Sequence, residues 1–232
     1  MLSAIAIVPS TPMLVPELAG AAAAEVADLV TAVMAAAALL PSRWVVIGTG
    51  GADEVLGPNG IGSFAGYGAD VRVYLSPPGA DEPAGAVADF PLCALIAGWL
   101  RGQARPEAGA QVRVYRDGHD VDAALSIGRR LRAEIDAEPD PVGVLVVADG
   151  ANTLTPGAPG GHDPASPDAQ LALDDALANG DGAALARLPE PILGRVAFQV
   201  LAGLAEPGPR SAKELYRGAP YGVGYFAGAW QP

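Results

Sequence analysis

The side chains that could take part in chemistry are few, and among them are only two histidines, His119 and His162. His119 comes just before a predicted helix, in the sequence DGHD, where a solvated loop residue is the expected role. His162 lies in a glycine-rich loop after the most apolar strand of the chain. Because ligands of open α/β sheets bind outside the carboxyl ends of the strands, His162 is the better candidate for contact with a bound molecule. An ordinary exposed loop residue is the simpler interpretation of it.

Asp149 is placed more favourably than either histidine, because it ends that apolar strand directly, in the run VLVVAD. A carboxylate at this point has two interpretations of similar weight. It accepts hydrogen bonds from backbone N–H groups of the loop, or it faces a substrate. The sequence leaves both open.

Signatures for phosphate, dinucleotide and serine-hydrolase chemistry are absent from the sequence. There is no G-x-x-x-x-G-K-[ST] and no G-x-S-x-G. Residues 48–51 follow a strand, but Gly57 and Pro58 arrive before a helix can begin, and a dinucleotide fingerprint needs that helix N-terminus for the pyrophosphate. The single cysteine, Cys93, excludes an internal disulfide and lies in an apolar stretch, which indicates a small buried side chain.

The composition indicates a single globular domain over residues 1–232. Half of the residues are hydrophobic, so the chain can bury a core. The net charge of -12 repels phosphate backbones, so we expect no nucleic-acid partner. No signal-like segment precedes the first strand, and Glu25 and Asp28 interrupt the longest apolar helix candidate. We therefore expect a cytoplasmic protein with no membrane segment.

Apolar runs and their breaks predict alternating strands and helices, which is typical of an α/β fold. The run 142–148 (VGVLVVA) is continuously apolar, as in a strand covered on both faces. Ser166, Pro167 and Asp168 indicate a helix start with Ser166 as its cap, and Asn179 and Gly180 indicate its end. We predict strands at 2–8, 43–48, 71–75, 111–115, 142–148 and 220–230, a glycine-rich loop at 48–68, and helices at 18–40, 90–100, 120–138, 166–179, 182–188 and 192–205.

Four segments together resemble the superfamily of class III extradiol ring-cleavage dioxygenases, and in particular its short actinobacterial branch of uncharacterised proteins. The resemblance spans nearly the whole chain. In chain order, the four segments are IAIVPSTPMLVPEL, RWVVIGTGG, VLVVADGANTLTPGAPG with the helix DAQLALDDALANGDGAAL, and APYGVGYFAGAW. It implies a single three-layer α/β/α domain around a mostly parallel, mixed sheet. In active relatives two histidines and a glutamate hold Fe(II), and a further histidine is the base for the catechol hydroxyl.

When the family's four functional positions are matched to this sequence one by one, three of them hold a different residue. Ser10 stands where the first iron histidine would follow the first strand, and residues 49–51 (Thr-Gly-Gly) stand where the second would follow the second strand. Residues 150–152 (Gly-Ala-Asn) occupy the place of the base histidine. Glu214 is the candidate for the glutamate, with Glu206 as the alternative. The resemblance therefore implies that Fe(II) binding and ring cleavage are absent, and no cofactor is expected.

The preferred hypothesis is a non-catalytic protein whose cleft binds a small polar or anionic metabolite. Backbone amides and hydroxyls at strand ends suit such ligands, although the same groups could serve only to cap loops. The candidate ligand-binding residues lie at strand ends, in the loops that follow them and near the C-terminus, and they are Ser10, Thr11, Gly50, Gly51, Asp149, Asn152, His162 and Glu214. The alternative hypothesis is a metalloenzyme, a dioxygenase or a hydrolase, in which His162, Asp149 and Glu214 or Glu206 converge on a metal.

A third hypothesis is an oligomeric or scaffolding role for the glycine-faced tail strand. Tyr221, Tyr225 and Trp230 could anchor an interface, because tyrosine and tryptophan are common at such contacts. Packing of these rings in the domain's own core is the simpler interpretation. A homo-oligomer therefore stays an open expectation.

Overall fold

The computed structural model describes residues 1–78 and 86–232, and it has the α/β architecture that the sequence predicts. The strands are β1 (Leu2–Val8), β2 (Arg43–Gly50), β3 (Glu54–Leu56), β4 (Ile61–Ser63), β5 (Arg72–Tyr74), β6 (Gly109–Arg116), β7 (Val142–Val147), β8 (Ser211–Gly218) and β9 (Tyr225–Gln231). The helices are α1 (Pro16–Ala19), α2 (Ala27–Ala37), α3 (Leu92–Ala104), α4 (Val121–Asp136), α5 (Ser166–Asn179), α6 (Gly182–Leu185) and α7 (Arg195–Ala205).

Seven strands form one mixed sheet in the order β3-β6-β2-β7-β1-β9-β8. The four central strands β6, β2, β7 and β1 run parallel. β3 at one edge, and β9 and β8 at the other, are antiparallel to their neighbours. β4 and β5 form a separate hairpin. The carboxyl ends of the parallel strands therefore meet at one edge of the sheet, where such folds bind ligands.

The central strands are covered on both faces, because their side chains alternate between two apolar cores. Ala6 and Val8 of β1 belong to the core that contains α2 and α3. Ile5 and Ile7 belong to the core that contains α4 and α7. Every residue of β7 is buried. Helices, sheet and helices thus form three layers, as the resemblance implies.

The sequence analysis misses β8, which is the outermost strand beside β9. Its sequence, SAKELYRG, is mostly polar, and its residues are exposed or only half-buried. Such an edge strand lacks the apolar run by which the central strands are recognised. The predicted tail strand at 220–230 begins later, at Tyr225, because residues 220–222 form a 3-10 turn.

The aromatic side chains of the tail mostly pack within the domain itself. Tyr225 and Trp230 are 5% and 1% exposed, and the Trp230 Nε1 donates a hydrogen bond of 2.8 Å to the carbonyl oxygen of Leu177. Core packing is therefore confirmed for these two. Tyr221 is 46% exposed, and its hydroxyl donates to the Glu25 carboxylate at 2.7 Å.

The predicted continuous helix at 18–40 is wrong, because it is interrupted between α1 and α2. Gly20 has φ +53° and ends α1, and a 3-10 turn follows at residues 20–24. Residues 20–25 are mostly exposed, so they have no buried face to hold a continuous helix. Across residues 1–78 and 86–232, no helix is both long and apolar enough to cross a lipid bilayer.

The region at 48–68, predicted as a glycine-rich loop, also contains regular structure. β2 continues to Gly50, β3 pairs with the edge of β6, and β4 pairs with β5. Strands of three residues give little local signal, and β3 pairs with β6, which is distant in sequence.

Helices α4 and α7 cross at two glycines that face each other. A β-carbon on Gly128 would collide with the carbonyl oxygen of Val200, and one on Gly203 would collide with that of Leu125. The absence of side chains lets the two backbones approach closely. This contact sets the spacing of the helical layer behind β7.

We predict that Gly203→Ala lowers the free energy of unfolding by about 1–3 kcal/mol, because overpacking must force α4 and α7 apart. Gly102→Ala is the matched control, since this α3 glycine has open space around the added carbon. That change should raise the free energy of unfolding by about 0.5–1 kcal/mol. Urea denaturation measures both. Unchanged stability in Gly203→Ala would contradict the close crossing.

Candidate functional site

Four residues lie at or just beyond the ends of neighbouring strands at the carboxyl edge of the sheet. β2 pairs with β7, β7 pairs with β1, and β1 pairs antiparallel with β9. Gly50 ends β2, Asp149 and Ser10 follow β7 and β1 by two residues, and Tyr225 begins β9. We call these residues, together with Thr11, the strand-end row.

Asp149 is the only carboxyl group of the strand-end row, and it ties two strands together. Its Oδ1 accepts a hydrogen bond of 2.7 Å from the backbone N–H of Ser10. The carboxylate therefore bonds to the end of the neighbouring strand rather than to its own loop. Burial raises the pKa of Asp149 to about 7, and the Ser10 N–H lowers it only in part.

The second oxygen of Asp149 is available to a bound molecule. Oδ2 makes no hydrogen bond to any residue within 1–78 or 86–232. No buried side-chain oxygen or nitrogen in those same ranges lacks a partner, so Oδ2 must have some solvent-exposed surface. The residue accordingly keeps some exposed surface although its carboxyl is largely enclosed.

Two hydroxyl groups lie beside this carboxyl. The Tyr225 hydroxyl donates to the Thr11 Oγ1 at 3.1 Å, and both residues are buried. Burial, with a smaller effect from the Asp149 carboxylate, raises the pKa of Tyr225 to about 12. The phenol therefore stays protonated at physiological pH. Sequence reasoning placed Tyr225 in the core or in an interface and missed its place beside Thr11.

The two glycines at the end of β2, Gly50 and Gly51, supply no side chain to the strand-end row. A β-carbon on Gly50 would lie 2.9 Å from Cγ1 of Val114. Gly51 has nothing within 4 Å of that position and is exposed. Val114 therefore already occupies the space beside Gly50, only Gly51 leaves open space, and neither glycine supplies an imidazole or a carboxylate.

Asn152 and His162 make their contacts within the loop that follows β7. The carbonyl oxygen of Asn152 accepts from the Gly160 N–H at 3.0 Å, and its side chain lies against Gly160. His162 is exposed and forms an isolated bridge with Leu154. Neither side chain forms a hydrogen bond with the strand-end row within the described residues.

Gln170 of α5 fixes the start of this loop, and sequence reasoning missed it. Its Oε1 accepts from the Ala151 N–H at 2.8 Å, and its Nε2 donates to Asp174 at 2.8 Å. Burial raises the pKa of Asp174 to about 6. The available signal was two polar residues spaced i, i+4 on a helix face that is otherwise buried. The predicted cap, Ser166, is instead the first residue of α5 and bonds to the Thr153 hydroxyl at 2.6 Å.

Glu214 and Glu206, the two candidates for the family's glutamate, are paired with arginines outside the strand-end row. Glu214 is on the edge strand β8 and pairs with Arg217, which also contacts Asp175 on α5 at 2.9 Å. Glu206 follows α7 and pairs with Arg129 at 2.7 Å. The structure therefore does not bring His162, Asp149 and either glutamate together. Among the residues that the structure describes, no three His, Cys, Asp or Glu side chains are grouped for a metal.

The donor atoms of the strand-end row do not fit Fe(II). Two imidazoles and one carboxylate are the usual ligands of non-haem Fe(II) sites with open positions. Here a single carboxylate is joined by hydroxyls and by glycines.

His119 is not the solvated residue that its sequence predicts. Its Nε2 lies 2.8 Å and 3.0 Å from the two carboxylate oxygens of Asp53, and its side chain is 14% exposed. The backbone N–H of Arg116 and then His119 lower the pKa of Asp53. Asp53 and His119 meet because β3 pairs with β6, a contact that no local pattern predicts.

We predict that Asp149→Asn changes how stability depends on pH. The folded state keeps the Asp149 proton up to about pH 7, whereas the unfolded chain loses it near pH 3.8. Folding therefore binds a proton between these values, and the wild type loses stability relative to Asp149→Asn as the pH rises. The relative loss is on the order of 4 kcal/mol and levels off above pH 7. Urea denaturation of both proteins from pH 4 to 8 measures it, and parallel curves would contradict the raised pKa.

Comparison with known proteins shows the fold and nothing finer. No protein-family model matches the chain, and no curated protein is significantly similar to it. Among solved structures, the uncharacterized protein JW3007 from Escherichia coli K12 has a similar structure, with a TM-score of 0.52. The match covers 98% of this chain and 99% of that one at 9% sequence identity. The shared feature is the α/β arrangement of the whole domain.

Proposed function

We propose that this protein binds a small polar metabolite at the strand-end row and does not cleave aromatic rings. The proposal includes descent from class III extradiol ring-cleavage dioxygenases, with the cleft retained and the iron ligands replaced. Ser10 and the residues that follow β2 stand where that resemblance would place the histidines. The observation that carries the proposal is the Asp149 carboxyl, enclosed at the sheet's carboxyl edge with one oxygen still free.

The charge of Asp149 indicates what kind of molecule would bind there. Burial raises its pKa, and within residues 1–78 and 86–232 no cationic side chain forms an ion pair with it. An anionic ligand beside it would raise that pKa further and oppose its own binding. A neutral molecule with hydroxyl groups can instead donate hydrogen bonds to Oδ2, and such bonds to a carboxylate are stronger than neutral ones.

The surrounding groups support a neutral hydroxylated ligand. The Thr11 and Tyr225 hydroxyls can each exchange hydrogen bonds with a polar molecule. Gly51 leaves the opposite side open. Catechol has the required chemistry, since it is small, is neutral at physiological pH and carries two adjacent hydroxyls. It is therefore a suitable probe for binding without turnover.

We expect that the protein retains no stoichiometric metal after anaerobic incubation with Fe(II) or Zn(II) and desalting. A lone carboxylate with hydroxyls is a weak ligand set for either ion. Mass spectrometry of the metal content measures this for the wild type and for His162→Ala. Near-stoichiometric metal that is lost in His162→Ala would overturn the proposal in favour of a rebuilt metalloenzyme site.

We expect catechol to bind saturably, and more tightly at pH 8 than at pH 6, because the ionised Asp149 is the stronger acceptor. Asp149→Asn should weaken binding at pH 8 about tenfold, which is the effect of one lost charge-assisted hydrogen bond. Asp140→Asn is the matched control, since Asp140 is exposed and precedes the opposite end of β7. Isothermal titration calorimetry measures the affinities. Equal weakening by both substitutions would place the ligand elsewhere.

A further inference from the structure

The two segments that flank β1 bond directly to each other beyond its end. β7 and β9 are the neighbours of β1 in the sheet. Past the last residues that pair with β1, the Gly150 N–H donates to the carbonyl oxygen of Gly224 at 2.9 Å, and the Gly224 N–H donates to that of Ala151 at 2.8 Å. Gly150 directly follows Asp149, and Gly224 directly precedes Tyr225. These two bonds, which we call the glycine junction, therefore join the two sides of the strand-end row.

A buried carboxamide lies against the glycine junction. It belongs to Gln170 of α5, which is 7% exposed, and its Oε1 accepts from the Ala151 N–H at 2.8 Å. A β-carbon on either Gly150 or Gly224 would lie 2.0 Å from the same oxygen. Only glycine at both positions lets the carboxamide approach so closely. One side chain therefore packs against both segments of the junction.

Asp174 fixes the orientation of this carboxamide. It lies one helical turn after Gln170 and is 8% exposed. Its Oδ1 accepts from the Gln170 Nε2 at 2.8 Å. The amide nitrogen faces Asp174, so the amide oxygen is left to face the junction. Both polar ends of Gln170 thus have protein partners, and its place does not depend on solvent.

We propose that Gln170 is the positioning residue of the strand-end row and holds Asp149 and Tyr225 at a fixed spacing across the end of β1. Through the glycine junction it acts on the residue that follows Asp149 and on the residue that precedes Tyr225. The inference rests on the proposed function, because it concerns the same site. It adds that the geometry of the site is set from α5, behind the residues that would touch a ligand.

We expect Gln170→Met to lower the pKa of Asp149 by about one pH unit or more, because a loosened junction admits water to a carboxyl whose pKa is raised by burial. Methionine is unbranched, as glutamine is, but gives the Ala151 N–H no comparable acceptor. Carbon NMR of the ligand-free protein from pH 4 to 9 follows the Asp149 carboxyl, which the spectrum of Asp149→Asn identifies. The neighbouring Tyr225 hydroxyl, with a pKa of about 12, stays protonated throughout.

Gln199→Met is the matched control, since it also removes a buried carboxamide. Gln199 is 2% exposed on α7, and it bonds to Arg195 and to the carbonyl oxygen of Ala186. Neither partner belongs to the strand-end row. The change should lower the free energy of unfolding but leave the pKa of Asp149 near 7. An Asp149 pKa that stays near 7 in folded Gln170→Met, or that falls equally in Gln199→Met, would overturn the proposal.

Two further variants test the contact itself. Gln170→Glu combined with Asp174→Asn exchanges donor and acceptor across their hydrogen bond and keeps an acceptor for the Ala151 N–H, so the pKa of Asp149 should return to about 7. Gly224→Ala decides the matter if Gln170→Met does not fold. Gly224 lacks the left-handed φ that would exclude alanine, and the added carbon pushes directly on the Gln170 oxygen. It should lower the pKa of Asp149, and an unchanged value would count against the proposal.

Catechol separates this inference from the proposed function. Gln170→Met should weaken catechol binding about tenfold at pH 8, because Asp149 and Tyr225 no longer hold their spacing. The difference in affinity between pH 6 and pH 8 should also shrink, since more of Asp149 is already ionised at pH 6. If the wild type does not bind catechol, the proposed function fails, while the ligand-free titration still decides the role of Gln170. If Gln170→Met binds catechol as the wild type does at both pH values, Gln170 does not position the site.

Discussion

The parallel pairing of β7 with β1 and β2 is the constraint on which the rest of this structure depends. Because β7 is buried throughout, its side chains can only be apolar and its backbone groups must be satisfied by the flanking strands. Polar side chains are thereby excluded from the sheet interior and appear where the strands end. The bond between Asp149 and the Ser10 N–H is the first side-chain contact beyond the ladder. The candidate site is thus a direct consequence of two-sided burial.

Burial of one carboxyl without a cation then decides the chemistry of that site. Burial raises the pKa of Asp149 to about 7. Within residues 1–78 and 86–232 no arginine pairs with Asp149, and Arg217 is paired with Glu214 and Asp175 at the far edge of the sheet. The cleft accordingly favours ligands that donate hydrogen bonds over ligands that bring more negative charge.

The sequence predicts what is encoded locally. The apolar runs of β1 and β7, the Asp120 cap of α4 and the end of α5 at Gly180 all appear in the structure. The polar edge strand β8 gives no such signal, because an exposed strand needs no apolar pattern. The contacts between Thr11 and Tyr225 and between Asp53 and His119 could not be predicted from the sequence either. Each joins residues that are far apart in the chain and meet only because their strands pair. Residue type at strand ends predicted Ser10, Thr11, Gly50 and Asp149 together, whereas Asn152, His162 and Glu214 lie apart from them.

The Thr11–Tyr225 and Asp53–His119 contacts both lie where the parallel core meets an antiparallel edge. β9 brings Tyr225 beside Thr11 on one side, and β3 brings Asp53 to His119 on the other. An antiparallel edge strand can come from any part of the chain, whereas the parallel strands of the core follow one another through βαβ units. Edge strands can therefore place side chains beside the core that the βαβ order cannot bring there. The register of the parallel strands fixes where Thr11 and His119 lie, and the edge strands supply their hydrogen-bond partners, Tyr225 and Asp53. Differences between proteins that share this architecture should therefore be sought first in the edge strands, where a few side chains change the charge of a site without disturbing the sheet.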